Sequence, residues 1–173
     1  LKYQYEQEGR EMDIPSYVRE GRFANLPFVL LGVIDEHGQF AVSNQVPFVP
    51  SNLKDREHFQ VHLGVDKGDL FISKPVLGRS SGKWSIQMTR RANKMDGSLA
   101  GVVVVSVDPF YFTEFYRQVD LGQNSNVTLV GLDGIVRARQ SGDNSAVGQD
   151  IRDGVLMREI AAGARFGNYT SSS

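Results

Sequence analysis

The 173-residue chain has no cysteine. That removes disulfides, thiolate metal sites and cysteine nucleophiles, although it leaves the compartment open, since a periplasmic protein need not carry disulfides. No apolar run approaches the roughly 20 residues of a membrane-spanning helix. There is no excess of either charge: 19 Lys and Arg stand against 20 Asp and Glu. Without a basic surplus or a block of like charge, the sequence calls for neither nucleic acid nor an acidic membrane surface. A GxSxG elbow, a P-loop and a Rossmann glycine pattern are all missing, so neither a hydrolase nor a cofactor is expected. What remains is the composition of an ordinary globular protein, 40% hydrophobic and 23% charged.

Along the chain, residues 1–25 read as a helical segment, with Leu1, Tyr5, Met12, Tyr17 and Val18 as a sparse apolar stripe broken at Gly9 and Pro15. FVLLGVID, then EHG, then QFAVSN predicts a hairpin over 28–44. After a proline-bearing loop, Asn52 is expected to cap a short helix through DREHFQVH, with Asp55 in the capping-box position. LFISKPV, WSIQMTRRANK and SLAGVVVVSVD predict three further strands. In the middle one, Trp84, Ile86 and Met88 alternate with Ser85, Gln87 and Thr89. PFYFTEFYRQV is expected to be helical, and Tyr111, Phe112, Phe115 and Tyr116 at helical spacing read as packing between modules.

From there the pattern repeats. VTLVGLDGIVRARQ reads as a second hairpin and GQDIRDGVLMREIAAG as a second capped helix. Asp133 lies 98 residues after Asp35, and the same step relates Asp150 to Asn52, Ile151 to Leu53 and Asp153 to Asp55. A strand–turn–strand–loop–cap repeated at that spacing predicts tandem copies of one module. The expected domains are a helical segment 1–25, a module over 26–117, and the start of a second, incomplete module over 118–173.

The order of helix, hairpin, short helix and three antiparallel strands is PAS-like, an α/β (α+β) fold with a long N-terminal helix and a five-stranded antiparallel sheet. The phrases LKDREHFQVH, LFISKPVLGRSSGKWSIQMTRR and DGSLAGVVVVSVDPFYFTEFY resemble the first module of a double Cache (PDC-type) sensor domain. They are most similar to the kind that precedes diguanylate cyclases of the GGDEF class. VTLVGLDGIVRAR resembles the opening of the second module. The resemblance implies a domain outside the cytoplasmic membrane of a bacterium, in the periplasm, between two flanking transmembrane helices. It implies a small-molecule ligand in the membrane-distal module and no catalysis within this portion. The absence of an initiator Met fits an excised fragment.

The resemblance also implies site residues. In amino-acid-binding modules of this kind an Arg, a Trp and a Tyr cluster after the hairpin, and an Asp ends the last strand. Arg56 stands at the Arg position, His58 and Phe59 stand near the aromatic ones, and Asp108 matches the Asp. The Trp and Tyr are not there, which favours a small carboxylate, with or without an amine, over a standard amino acid. The residues themselves point the same way. A guanidinium clamps a carboxylate through two parallel hydrogen bonds, and a helix start adds backbone N–H groups. On the last strand Val102, Val104, Ser106 and Asp108 share one face that turns polar at its end. Asp108 there takes a ligand ammonium or pairs with Arg56. Trp84 reads as core or pocket wall, and Lys74 and Arg90 are strand residues that are candidates to face a ligand.

The second copy supplies an internal control. It places Gly154, Leu156 and Met157 where the first has Arg56, His58 and Phe59. Features needed for folding recur in both copies; features needed for binding need occur in one. Bland readings compete: Arg56 as a solvated helix residue, and His58 with His62 as a hydrogen-bonded pair. His58 and His62 have the i, i+4 spacing of metal ligands, but HFQVH lacks the HExxH order and a third ligand, so no metal is expected. A ligand-free module that holds two chains together is the alternative function. The N-terminal helix suits such a homodimer seam, though its stripe is too broken for a coiled coil. The output could equally belong to a histidine kinase or a chemoreceptor.

Overall fold

The computed structural model describes residues 1–24, 28–79, 81–114, 125–140 and 146–170. The chain falls into two units, Leu1–Asp108 and Pro109–Ser173.

The first unit is the α+β, PAS-like fold. Its strands are β1 (Phe28–Asp35), β2 (Phe40–Ser43), β3 (Phe71–Leu77), β4 (Trp84–Asn93) and β5 (Leu99–Val107). They form one antiparallel sheet in the order β2-β1-β5-β4-β3. β1 and β5 lie inside it, covered on both faces, and for that reason read as unbroken apolar runs rather than as alternating strands. β3 is at the edge, where Pro75 costs no ladder hydrogen bond.

Cross-strand pairing sorts the side chains onto two faces. Tyr5, Met12, Ile14, Leu31, Val33, Val42, Ala92 and Val103 form the core against the N-terminal segment. Leu30, Ile34, Phe40, Phe59, Val102 and Val104 form a second core on the opposite face. On β1 and β5 neighbouring residues alternate between these clusters, as a period of two requires.

The N-terminal segment is not one long helix. α1 (Lys2–Glu8) ends where Gly9 takes a left-handed φ of 58°, a 3-10 turn covers Gly9–Glu11, and α2 (Ile14–Arg19) follows with Asp13 as N-cap. Asp13 accepts the Ser16 backbone N–H, and Pro15 sits in the first turn of α2, where a missing N–H costs nothing. The apolar stripe Tyr5, Met12 and Ile14 is buried on the chain's own sheet, so it is not the face that a second chain would meet. Among the described residues no helix is long and apolar enough to cross a membrane.

The second unit contains α4 (Tyr111–Glu114), the hairpin β6 (Val127–Val130) and β7 (Val136–Gln140), and α5 (Val155–Ala161). Tyr111 is exposed and meets Phe112 edge-on at 5.9 Å; Phe115 and Tyr116 lie outside the described residues.

Equivalent hydrogen bonds identify the repeat. The Gly38 N–H donates to Asp35 O, Leu53 N–H to Gly38 O, Phe40 N–H to Ser51 O and Arg56 N–H to Leu53 O. In the second unit the corresponding donors and acceptors are Gly134 to Gly131, Ile151 to Gly134, Val136 to Gln149 and Gly154 to Ile151. These bonds correct the alignment. The loop segments keep the 98-residue step, but the turn glycines match at a two-residue shorter step, so Asp35 corresponds to Gly131 and not to Asp133. Both turn glycines have φ near +80° (82° and 73°), and a Cβ on either would strike Lys54 or Arg152 within 3 Å.

The expected N-caps also change. Asn52 Oδ1 accepts the Lys54 N–H and Asp150 Oδ1 the Arg152 N–H, so both build Asx turns, while Arg56 and Gly154 occupy the N-cap positions without a side-chain cap. The helix after Arg56, α3 (Glu57–Gln60), is four residues long. It is too short to supply the helix-start anion site expected from the sequence.

Candidate functional site

A cavity in the first unit lies between the α3 face of the sheet and two segments that close over it, residues 53–58 and the turn after β3. It is a half-open cleft whose room for water-sized molecules is about 40 Å³, within about 430 Å³ of unfilled space once the open mouth is counted. The smaller figure is room for roughly one to a few waters.

The floor is set by sheet register. Leu30, Ser106 and Gln87 are cross-strand partners on β1, β5 and β4, and Ser85 on β4 pairs with Val76 on β3. Their side chains therefore share a face, and all five line the hollow. Polar groups buried there must satisfy one another. Ser106 Oγ donates to Gln87 Oε1 at 2.6 Å, Gln87 Nε2 donates to Ser85 Oγ at 2.8 Å, and the Gln87 N–H donates to Ser73 Oγ at 2.9 Å. A hydroxyl that accepts still carries a proton to donate, so this row offers neutral donors and acceptors.

The rim is cationic. Arg56, half-buried, lines the mouth and donates from Nη2 to Leu77 O at 3.3 Å. Arg79, on the turn after β3, forks onto Asp55 with two bonds of 2.7 Å and also donates to Asn52 O at 2.6 Å. This pairing first, by its hydrogen bonds, holds the Asp55 carboxyl down at about 2 and raises the Arg79 guanidinium. His58, only 5% exposed, forms the wall beside Arg56. Burial first, then the charges of Arg56 and His62, lower its pKa to about 4, so the ring is neutral at pH 7.

Of the residues singled out from sequence, Arg56, His58 and Ser106 meet at the cavity. Phe59, 1% exposed, packs beneath it in the core with Leu30, Phe40 and Val104. Asp108 lies just past the last residue of β5, is exposed and is not part of the lining. Trp84, at the start of β4, is 45% exposed, neither core nor wall; the alternate residues Ser85 and Gln87 take the inward face. Lys74 points outward from the edge strand, and Arg90 donates to Gly68 O on the surface. His62 does not share a ligand with His58: its Nε2 is 2.9 Å from Thr89 Oγ1, away from this cavity. Sequence reading missed Arg79, Gln87 and Ser85. The signal available for the last two was their alternation on a strand that turns out to be interior.

A run of hydrogen bonds leads from the cavity wall to the N-terminal helix. α3 carries His58, and the carbonyl of His62 one turn on accepts from buried Arg91 at 2.6 Å. Arg91 Nε donates to Asn93 Oδ1 at 2.7 Å, and the Asn93 N–H donates to Glu6 Oε1 of α1 at 2.9 Å.

No protein-family model matches the chain, and no curated protein matches it by sequence. Solved structures do. The extracellular domain of rpHK1S-Z16, assigned as a histidine kinase, is 28% identical with a TM-score of 0.80, over 95% of this chain and 68% of that one. An extracellular ligand-binding receptor from Desulfohalobium retbaense is 14% identical with a TM-score of 0.69; the match covers 93% of this chain but only 29% of the receptor. The ligand-binding domain of the Pseudomonas aeruginosa amino-acid chemoreceptor PctC, solved with GABA, is 14% identical with a TM-score of 0.57, over 89% of this chain and 70% of that one. The structural neighbours are thus extracellular sensor and ligand-binding domains of histidine kinases and chemoreceptors, and the fold is theirs.

Proposed function

We propose that the chain is the sensor portion of a bacterial membrane-bound signalling protein. On this reading it lies outside the inner membrane, has no catalysis of its own, and binds a small carboxylate in the cavity of its first unit. The second unit is then the start of a membrane-proximal Cache-type module. The observation that carries the reading is the cavity itself: two guanidinium groups at the rim of a hydrogen-bonding hollow in a PAS-like sheet. A guanidinium near a hollow is the group best suited to gripping a carboxylate. The bonded run from α3 through Arg91 and Asn93 to Glu6 offers a route by which a change at His58 displaces α1, toward a preceding membrane span. As output, the sequence phrases favour a diguanylate cyclase, whereas the neighbours belong to histidine kinases and chemoreceptors.

A ligand that binds only the folded state raises the unfolding midpoint by mass action. Screening small carboxylates by thermal unfolding is expected to give a rise that Arg56→Ala abolishes. A rise that survives in that variant places binding elsewhere. The small room for water-sized molecules, about 40 Å³, favours a second reading: a ligand-free relay in which the cleft takes up no ligand. That reading expects no carboxylate to move the midpoint.

A further inference from the structure

We infer that the cavity selects an amine-free carboxylate, a small 2-hydroxy or 2-oxo acid, over the amino acid of the same carbon skeleton. In this assignment Arg56 and Arg79 take the carboxylate and the Ser85–Gln87–Ser106 row takes the oxygen-bearing carbon. The inference rests on the carboxylate-pocket reading above and narrows it.

Charge supplies the first argument. Among the described residues lining the hollow none is acidic, and two are arginines. Asp55 is the nearby carboxylate, but it stands outside the lining and both its oxygens face Arg79. A ligand ammonium drawn into this hollow would lie beside Arg56 and the Arg79–Asp55 pair with no acidic side chain in the lining to neutralise it, which disfavours it.

The floor supplies the second. An ammonium has three N–H donors and no acceptor, so it needs acceptors alone. Gln87 Oε1 already accepts from Ser106 and Ser85 Oγ from Gln87, and the lone pairs they keep belong to neutral oxygens, which give an ammonium no counter-charge. A ligand hydroxyl or carbonyl oxygen fits better, because it accepts from the Ser85 hydroxyl and, as a hydroxyl, gives one proton to a serine oxygen. His58, buried and neutral in the same wall, adds one donor or one acceptor but no negative charge.

Asp55 supplies the third. Its two-bond pair with Arg79 is what a bound carboxylate would make, so the pair acts as an internal stand-in. The turn that carries Arg79 closes on itself, the Gly78 N–H donating to Lys83 O and the Gly82 N–H to Gly78 O. Leu30, Phe40, Leu53 and Val104 leave room for only a short apolar tail.

Calorimetric titration of the chain with matched pairs tests this: L-lactate against L-alanine, and L-glycerate against L-serine, with pyruvate as the oxo acid. The hydroxy acid of each pair is expected to bind at least tenfold more tightly. Arg56→Gln and Arg79→Gln are each expected to weaken that binding at least tenfold. Arg79 is surface-exposed, so R79Q is expected to keep the unliganded unfolding midpoint, which separates lost binding from lost folding. If L-alanine or L-serine binds as tightly and loses that binding in R56Q, the selectivity is overturned while the carboxylate pocket stands. Loss in R56Q alone removes Arg79 from the assignment. Binding by none of the five, or binding indifferent to both substitutions, overturns the pocket together with its selectivity.

Discussion

Among the described residues, 28–60 and 127–161 share a hairpin, an Asx turn and a short helix that carry different side chains. Both make a hairpin whose turn glycine receives the N–H of a following loop residue, Leu53 or Ile151. Both continue through an Asx turn built by Asn52 or Asp150. Only the first then presents Arg56 and His58, where the second has Gly154 and Leu156. The comparison separates what holds the backbone from what furnishes the cavity. It also moves Asp55 from the first group to the second. Its counterpart Asp153 keeps the position, yet Asp55 is spent on Arg79 at the cavity rim.

The largest expected difference between the copies lies under the cavity. Phe59 is fully buried and its counterpart Met157 only half-buried. Phe59→Ala is expected to cost about 3–5 kcal/mol in denaturant unfolding, and Met157→Ala less than half of that. Equal costs would mean that the two helices are packed alike.

Next comes acid sensitivity. The unfolded imidazole of His58 takes its proton near 6.5 and the folded one near 4. Between those values the unfolded state binds more protons, so stability falls as pH falls, with nothing lost above 6.5 and the full effect reached below 4. The loss amounts to about 3 kcal/mol as an upper figure. His62, also lowered by burial, acts in the same direction. His58→Gln is expected to flatten most of this acid limb in pH-dependent unfolding, and an unchanged limb would show that His58 titrates normally in the fold.

The shared backbone makes a smaller, symmetric prediction. Gly38→Ala and Gly134→Ala each force an alanine to positive φ and push a Cβ into the neighbouring segment. Each is expected to cost at least about 1–2 kcal/mol. A tolerated substitution at Gly134 alone would break the equivalence of the two turns. Smallest in stability is Asp55→Asn. The pair with Arg79 is exposed, and the unfolding midpoint is expected to stay put. Amide exchange at Gly78, Arg79 and residues 81–83 is expected to quicken, while Asp153→Asn changes exchange nowhere outside its own loop.

The strands were legible because alternation and apolar runs are local consequences of the pleat. So was the duplication, although its step at the turn was misread: Asp35 and Asp133 look alike in sequence, and only the hydrogen bonds show that Asp35 matches Gly131. Asn52 looked like a cap because an Asx turn and an N-cap use the same side chain in the same way two residues earlier. Arg56 and His58 were legible from the resemblance and from their absence in the second copy. Trp84 misled because a large aromatic on a strand is usually buried, whereas this one begins the strand at its open end.

By itself, then, the sequence determined the order of strands and turns, the repeated frame and the candidate cation at Arg56, since each depends on neighbours within a few residues. Tertiary structure decided which strand face is interior, and so made Ser85, Gln87 and Ser106 the floor of a cavity and left Trp84 and Lys74 outside. It also brought Arg79 onto Asp55, 24 residues away. Such pairings follow from sheet register and from where a turn folds back, quantities fixed by the packing of the whole unit rather than by any short stretch of chain.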